Sequence, residues 1–478
     1  MLLYFTSLAW LCAIFILSGL TWIIPIYFVL AYLALFFAVL SSVRPSRDWL
    51  NPLALVLIVG FIRFSVPGLM TLFGVEPSGV PVFYMMGVER HDWVLGHVLG
   101  LMGLLGVVTG WLLDLKLPAR VLRRIELLTT SRFGGLPLAA IFCMFIGLIA
   151  LFVFVGSNAS FEEAIYTGEM RGTDVQEGTG KYLRLALMLI SASVMFSVYL
   201  AKAGHVWWIA VFPSAVATGS FGILGGRSLA AIPLVAAWII IWYRGDVLKT
   251  SIKTVFILGI ALLPVYSYLG LVYRGGQGVA GVLGQSFSLA PLIDHMKYAL
   301  WVDWGNLHAM AAAIMIGPGV LGGRTFSVLL WPFAKFLGLP GRSAGVYMVE
   351  TLIGFDDRPV SAYVRQTWGF HATLIGDAYL NFGLVGVLAA TIIFGIVLRI
   401  LYLQIRVRVT NIGIYALGVG CSLRLFYVSI ENFPHVLVIL ASTVFVVQLG
   451  RLLTVRPAGK VGARPSNAMS KAEWSART

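Results

Sequence analysis

LNFGLVGVLAATIIFGIVLRILYLQIRVRVT, residues 380–410, decides how the chain is built. Its first part, 380–402, is an apolar run of the length an α-helix needs to cross a hydrocarbon core about 30 Å thick. The connection that follows, 403–410, is basic through Arg406 and Arg408. Lysines and arginines just beyond a span gather on the cytoplasmic side. The same alternation recurs outward from this stretch in both directions. Apolar runs fall at 2–19, 22–42, 53–74, 93–114, 136–156, 182–201, 206–223, 228–243, 254–272, 380–402, 411–428 and 435–453, about twelve in all.

Composition agrees. Hydrophobic residues make up 59% and charged residues 11% of the chain, with a mean hydropathy of +0.92, so the polar surface of a water-soluble fold is missing. The net charge of +14 does not point to nucleic acid, because it sits in short connections and the C-terminal tail and not on one face of a soluble domain. Cys12, Cys143 and Cys421 lie inside apolar runs at no metal-ligand spacing, which argues against a disulfide framework or a zinc site. The N-terminus lacks a basic n-region and a small-residue cleavage site, and reads as a retained first span.

Charge orients the spans. The connections 43–51 (Arg44, Arg47), 115–134 (Lys116, Arg120, Arg123, Arg124, Arg132), 244–253 (Arg244, Lys249, Lys253) and 403–410 are basic, as is the tail after Arg451. With twelve spans all of these share one side, which the positive-inside rule makes cytoplasmic, together with both termini. The expected fold is an all-α polytopic membrane protein of about 12 transmembrane helices, with residues 1–454 forming one helical domain and 455–478 a disordered tail. Two long outward segments are expected, 157–181 and 273–379, the second preceding the tenth span. Within it, 286–302 and 307–337 are apolar enough to lie in the interface or pack over the bundle. The run 307–323 also reads as a re-entrant piece. No internal repeat is evident, which weighs against an inverted-repeat transporter.

The informative side chains are outward cations. Arg171 (GEMRGT), Arg227 (LGGRSL) and Arg274 (VYRGGQG) each have adjacent glycine, which lets backbone approach a bulky anion. A guanidinium is always charged, planar and able to donate bidentately to a diphosphate. Singly, each serves equally well as a headgroup anchor or the partner of a local carboxylate. Arg63 and Arg424 lie within runs, where a charge costs roughly 2.5 to 3.5 kcal/mol and must face the bundle or a wet cavity. An internal ion pair is the alternative there, with Glu431 a partner for Arg424. Arg184 reads as an interface anchor. No D-x-D or H-x-x-x-H element suggests a metal, and RGGQGVAGVLG (274–284) is no P-loop, so neither metal nor nucleotide cofactor is expected.

The segment WGFHATLIGDAYLNFGLVGVLAA (368–390) resembles the outer loop and following span of oligosaccharide repeat-unit polymerases, the Wzy-type O-antigen polymerases. Gly369, Gly376, Tyr379, Asn381, Phe382, Gly383 and Gly386 match that family's run, with Asp377 where glutamate is commoner. GGRSLAAIPLVAAW (225–238), Arg171 after FEEAIYTGEM, and the Y-R-G-G of Tyr273 and Arg274 are similar to further family elements. The resemblance covers most of the chain in topology and about 160–390 in motif.

The resemblance implies a GT-C-like glycosyltransferase of the bacterial inner membrane, acting at its periplasmic face without metal. It would join undecaprenyl-diphosphate-linked repeat units into O-antigen, capsule or exopolysaccharide, with a chain-length regulator as a further partner. In that chemistry an acceptor hydroxyl attacks the anomeric carbon and a lipid diphosphate leaves as a stable anion, so preorganised positive charge does most of the stabilisation. Arg171, Arg227 and Arg274 would form the clamp. His371 and Asp377 are the candidate bases, against readings as a hydrogen-bonded loop residue and a helix cap. Tyr273, Tyr379, Asn381, Arg63 and Arg424 are the candidate substrate contacts. An O-antigen ligase shares this architecture, and a flippase or transporter of lipid-linked oligosaccharide would suit the buried cations.

Overall fold

The computed structural model describes residues 2–43, 50–67, 69, 89–113, 115, 118, 120, 121, 123, 134–158, 180–223, 227–244, 306–330, 344–353, 372–405 and 412–454. The expected span at 254–272, most of the segments 157–181 and 273–379, and the tail 455–478 lie outside them. Among the described residues every regular element is a helix.

In chain order the longer helices are α1 (Leu2–Leu17), α2 (Ile24–Val43), α3 (Pro52–Gly60), α4 (Arg90–Leu112), α5 (Leu136–Asn158), α6 (Gly180–Ala186), α7 (Met188–Lys202), α8 (Trp207–Ile223), α9 (Arg227–Arg244), α10 (Leu307–Ile316), α11 (Ala344–Ile353), α12 (Thr373–Ile400), α13 (Ile412–Tyr427) and α14 (Phe433–Leu452). Six stretches are long and apolar enough to cross a bilayer: Thr21–Val43, Arg90–Leu112, Leu136–Ser157, Lys181–Lys202, Thr373–Leu403 and Phe433–Leu452. The protein is thus a helical, membrane-embedded chain.

Local chemistry sets the helix starts. Asn51 caps α3, its side-chain oxygen accepting the Ala54 N–H at 2.8 Å, and Pro52 occupies the first turn, where its missing N–H costs nothing. Before α4, the Asp92 carboxylate turns back to accept the Glu89 N–H at 2.9 Å.

Two large apolar cores share the described part of the bundle. One joins α1, α2, α3, α4, α10, α11 and α12; the other joins α5, α6, α7, α8, α9, α13 and α14. Helix α13 belongs to both, through Phe426 and Tyr427 on one side and Tyr415 to Cys421 on the other. Helix α4 is the axis of the first core. Lipid supplies no hydrophobic drive between helices, so close backbone approach and dispersion must hold them, and α4 achieves this with glycine. A Cβ at Gly96 would stand 2.7 Å from the Ala311 nitrogen of α10, and one at Gly110 would collide with the Ile392 carbonyl of α12.

Within the segment 273–379, the run 307–323 carries two readings, a helix over the bundle and a re-entrant piece. Ala309, Met310, Ala311, Ala312 and Ala313 are all wholly buried, wedged against α4. Helix α12 also begins earlier than the apolar run, at Thr373, because the polar residues of TLIGDAYLN are themselves buried. Hydropathy marked them as loop; their hydrogen bonds make them helix.

Candidate functional site

The C-terminal end of α12 and the start of α13 lie at one end of the bundle, and the corner between α13 and α14 lies at the other. That corner, residues 427–432, gathers most of the described polar side chains that the sequence singled out. It closes with a short turn, Ile430–Asn432.

Arg63 approaches from α3, which does not continue as a regular helix but widens into a π-turn over Phe61–Ser65. Such single-turn bulges are frequent at functional sites. From this turn Arg63 Nη1 donates to Asn306 Oδ1 at 2.6 Å and to the Tyr427 carbonyl at 3.4 Å, and the guanidinium lies 5.5 Å from the Tyr427 ring centroid. Asn306 completes the arrangement: its amide donates to the same Tyr427 carbonyl at 2.8 Å, and its backbone N–H donates to the Arg63 carbonyl. A cation is thus placed at the carbonyl end of α13, where the helix dipole favours it.

Arg424, one turn back on α13 and buried, donates from Nε and Nη2 to Asn432 Oδ1 at 3.1 and 2.5 Å. The ion pair with Glu431 is not among the contacts described; the side chain of Glu431 lies outside the described residues. Arg184, from α6, is exposed.

Asp377 is wholly buried on α12. Its Oδ2 accepts from Ser429 Oγ and from the Ile430 N–H, both at 2.9 Å. The carboxylate therefore caps the short helical turn that leads into α14, and not the start of its own helix as the capping reading had it. Arg63 at the carbonyl end and Asp377 at the amide end give the corner two charges of the sign each end attracts.

Helix α12 is broken at Gly383, whose φ of 65° and ψ of −153° only glycine adopts without strain. The break frees the carbonyls of Tyr379 and Leu380, which in a continuous helix would bond to residues 383 and 384. The glycine-rich loop after α10 replaces those donors: Gly319 N–H reaches the Tyr379 carbonyl at 3.0 Å and Leu321 N–H the Leu380 carbonyl at 2.8 Å. Asn381 seals the join, accepting the Thr325 N–H through Oδ1 at 3.2 Å and donating to the Asp377 carbonyl at 2.6 Å. Tyr379 is buried. At the start of the same half-helix Thr373 has a φ of 60°, a costly value for a β-branched residue; its N–H donates to the Val428 carbonyl, and its hydroxyl accepts the Gly376 N–H at 3.2 Å. A π-turn, a strained threonine and a helix break thus surround one corner, and such departures cluster at functional sites.

Arg63, Arg424, Asp377, Tyr379 and Asn381 are all placed at this end of the bundle. Arg171, Tyr273, Arg274 and His371 lie outside the described residues. Arg227 is the first residue of α9, and its side chain lies outside them too. Sequence reading missed Asn306, Tyr427, Ser429 and Asn432, which bridge the charges. It also missed His97, wholly buried on α4, with Nε2 2.8 Å from the Tyr32 hydroxyl and its ring 4.7 Å from that of Phe28. A polar residue at the edge of an apolar run was the available signal, and it does not say which partner the residue meets. Comparison of the chain with protein-family models, with curated proteins and with solved structures finds no match.

Proposed function

We propose that the protein is an integral-membrane glycosyltransferase that polymerises undecaprenyl-diphosphate-linked oligosaccharide repeat units at the periplasmic face of the inner membrane. The observation that carries this reading is the convergence of Arg63 and Arg424 on one corner at the end of the bundle away from the basic connection. The break in α12 lies six residues along the helix from Asp377, which bonds to the same corner, within the segment whose sequence resembles repeat-unit polymerases. In this reading the corner is the rigid floor of the site. Arg171, Arg227 and Arg274 supply the positive charge that receives the departing diphosphate, as electrostatic stabilisation of a leaving anion requires. Asp377, with Oδ2 already accepting two hydrogen bonds, holds the floor, and His371 is the candidate to take the acceptor proton.

Purified protein mixed in detergent with lipid-linked repeat units tests this. Polymerase activity gives a ladder of lengthened glycans on the lipid carrier; unchanged single units overturn the proposal. One observation favours a second reading. Discontinuous helices form the substrate sites of many transporters, and the break at Gly383 fits a carrier of lipid-linked oligosaccharide. A carrier would move the substrate across sealed vesicles and leave its length unchanged.

A further inference from the structure

The outer surface of α12 is exposed on a single stripe. Phe382, Val385, Ala389, Ile393 and Val397 are its only exposed residues, spaced three or four apart. Every one is apolar, and Val385 is 75% exposed. Such a stripe meets acyl chains. Its upper end is unusual, because a cation stands there.

Arg324 is exposed, and its guanidinium makes no hydrogen bond or ion pair among the described residues. Its position is fixed on both sides. Gly323 lies under the Phe382 ring, Thr325 donates its N–H to Asn381, and the Phe326 ring meets Phe382 edge-on at 5.2 Å. Arg324 is therefore held level with Asn381 and Phe382, at the head of the stripe, with exposed Val320 beside it.

Depth follows from helix geometry. From Leu401, where the π-turn at the end of α12 begins, back to the break at Gly383 is a rise of about 27 Å at 1.5 Å per residue. The hydrocarbon core is about 30 Å thick, and headgroups extend it to roughly 40–45 Å. With the C-terminal end of α12 in one headgroup layer, Arg324 falls in the other, while Val385, Ala389 and Ile393 fall among acyl chains.

We propose that Arg324 and this stripe form a binding site for an anionic phospholipid of the leaflet away from the basic connections, its phosphate on the guanidinium and an acyl chain along α12. A zwitterionic lipid would lay its chains along the same stripe but would bring an ammonium toward Arg324, so charge selects the occupant. The inference rests on the membrane-embedded fold alone and stands whether the protein is a polymerase or a carrier.

The full-length protein, with benzoylphenylalanine in place of Val385, is placed in nanodiscs of phosphatidylglycerol and phosphatidylethanolamine in known ratio. It is irradiated, and the lipid adducts are identified by mass spectrometry. The lipid captured at this position is expected to be enriched in phosphatidylglycerol by about fivefold over the bulk ratio. Arg324→Gln, an exposed change that leaves the bundle intact, returns the adducts to the bulk ratio, and Arg324→Lys keeps most of the enrichment. Adducts that mirror the bulk in the unsubstituted chain overturn the proposal. So does enrichment that survives Arg324→Gln, or capture of protein in place of lipid.

Discussion

Asp377 on α12 holds the backbone N–H of Ile430 at 2.9 Å, across the corner that joins α13 to α14. A buried carboxylate is costly unless it is well bonded, and here it also takes the Ser429 hydroxyl. Asp377→Ala leaves both donors buried without that acceptor, at roughly 1–3 kcal/mol for each. The thermal midpoint of the detergent-solubilised protein should fall by several degrees. Asp377→Asn keeps an acceptor oxygen and should fall far less; equal losses in the two variants would show that charge, and not the two hydrogen bonds, is what matters.

Gly383 is the residue that permits the broken helix. In Gly383→Ala a Cβ is forced into the φ of 65°, a strain of about 1–3 kcal/mol. Stability should drop, and the amides of Gly319 and Leu321 should exchange faster with deuterium as their acceptors on Tyr379 and Leu380 are disturbed. Unchanged protection at both amides would separate the loop from the break.

Arg63 and Asn306 share the Tyr427 carbonyl. Groups in one network do not add independently, so Arg63→Ala combined with Asn306→Ala should cost less than the sum of the two single losses, by about 0.5–3 kcal/mol in a double-mutant cycle. Strict additivity in unfolding measurements would contradict the shared anchor.

The glycines of α4 and α5 give a matched pair. Gly110→Ala sets a Cβ against the Ile392 backbone oxygen, and overpacking of this kind costs typically about 1–3 kcal/mol. Gly156→Ala, on α5, meets nothing within 4 Å and should leave the midpoint unchanged or raise it through better helix propensity. The order of the two midpoints is the measurement.

Arg171, Arg227 and Arg274 separate binding from folding. If they receive the diphosphate, each change to alanine should lower glycan elongation by about 10²-fold or more, the scale of losing one preorganised donor to a developing anion. Folded yield should stay that of the unsubstituted protein. Changes to lysine should recover only part of the rate, since a point charge cannot bond bidentately. Full activity in all three alanine variants would remove the clamp.

The sequence by itself determined that this is a helical membrane chain and where most helices run. The apolar runs at 22–42, 93–114, 136–156, 182–201, 380–402 and 435–453 coincide with the six helices long and apolar enough to span. Run length against bilayer thickness is a strong signal, because every backbone group in lipid must be satisfied within its own segment. Sequence also marked Arg63 and Arg424 as charges out of place in lipid, and Asp377, Tyr379 and Asn381 through the resemblance of their segment. Only the tertiary structure decided what they meet. Helix α10 is as apolar as a surface helix, and its burial depends on glycines far away on α4, as at Gly96 against Ala311. The break at Gly383 is equally invisible in NFGLVG, since glycine is tolerated within continuous membrane helices. It persists because Gly319 and Leu321 arrive from another segment to bond the freed carbonyls. Hydropathy is a property of each residue in turn, whereas hydrogen-bond satisfaction inside a bundle belongs to pairs distant in the chain.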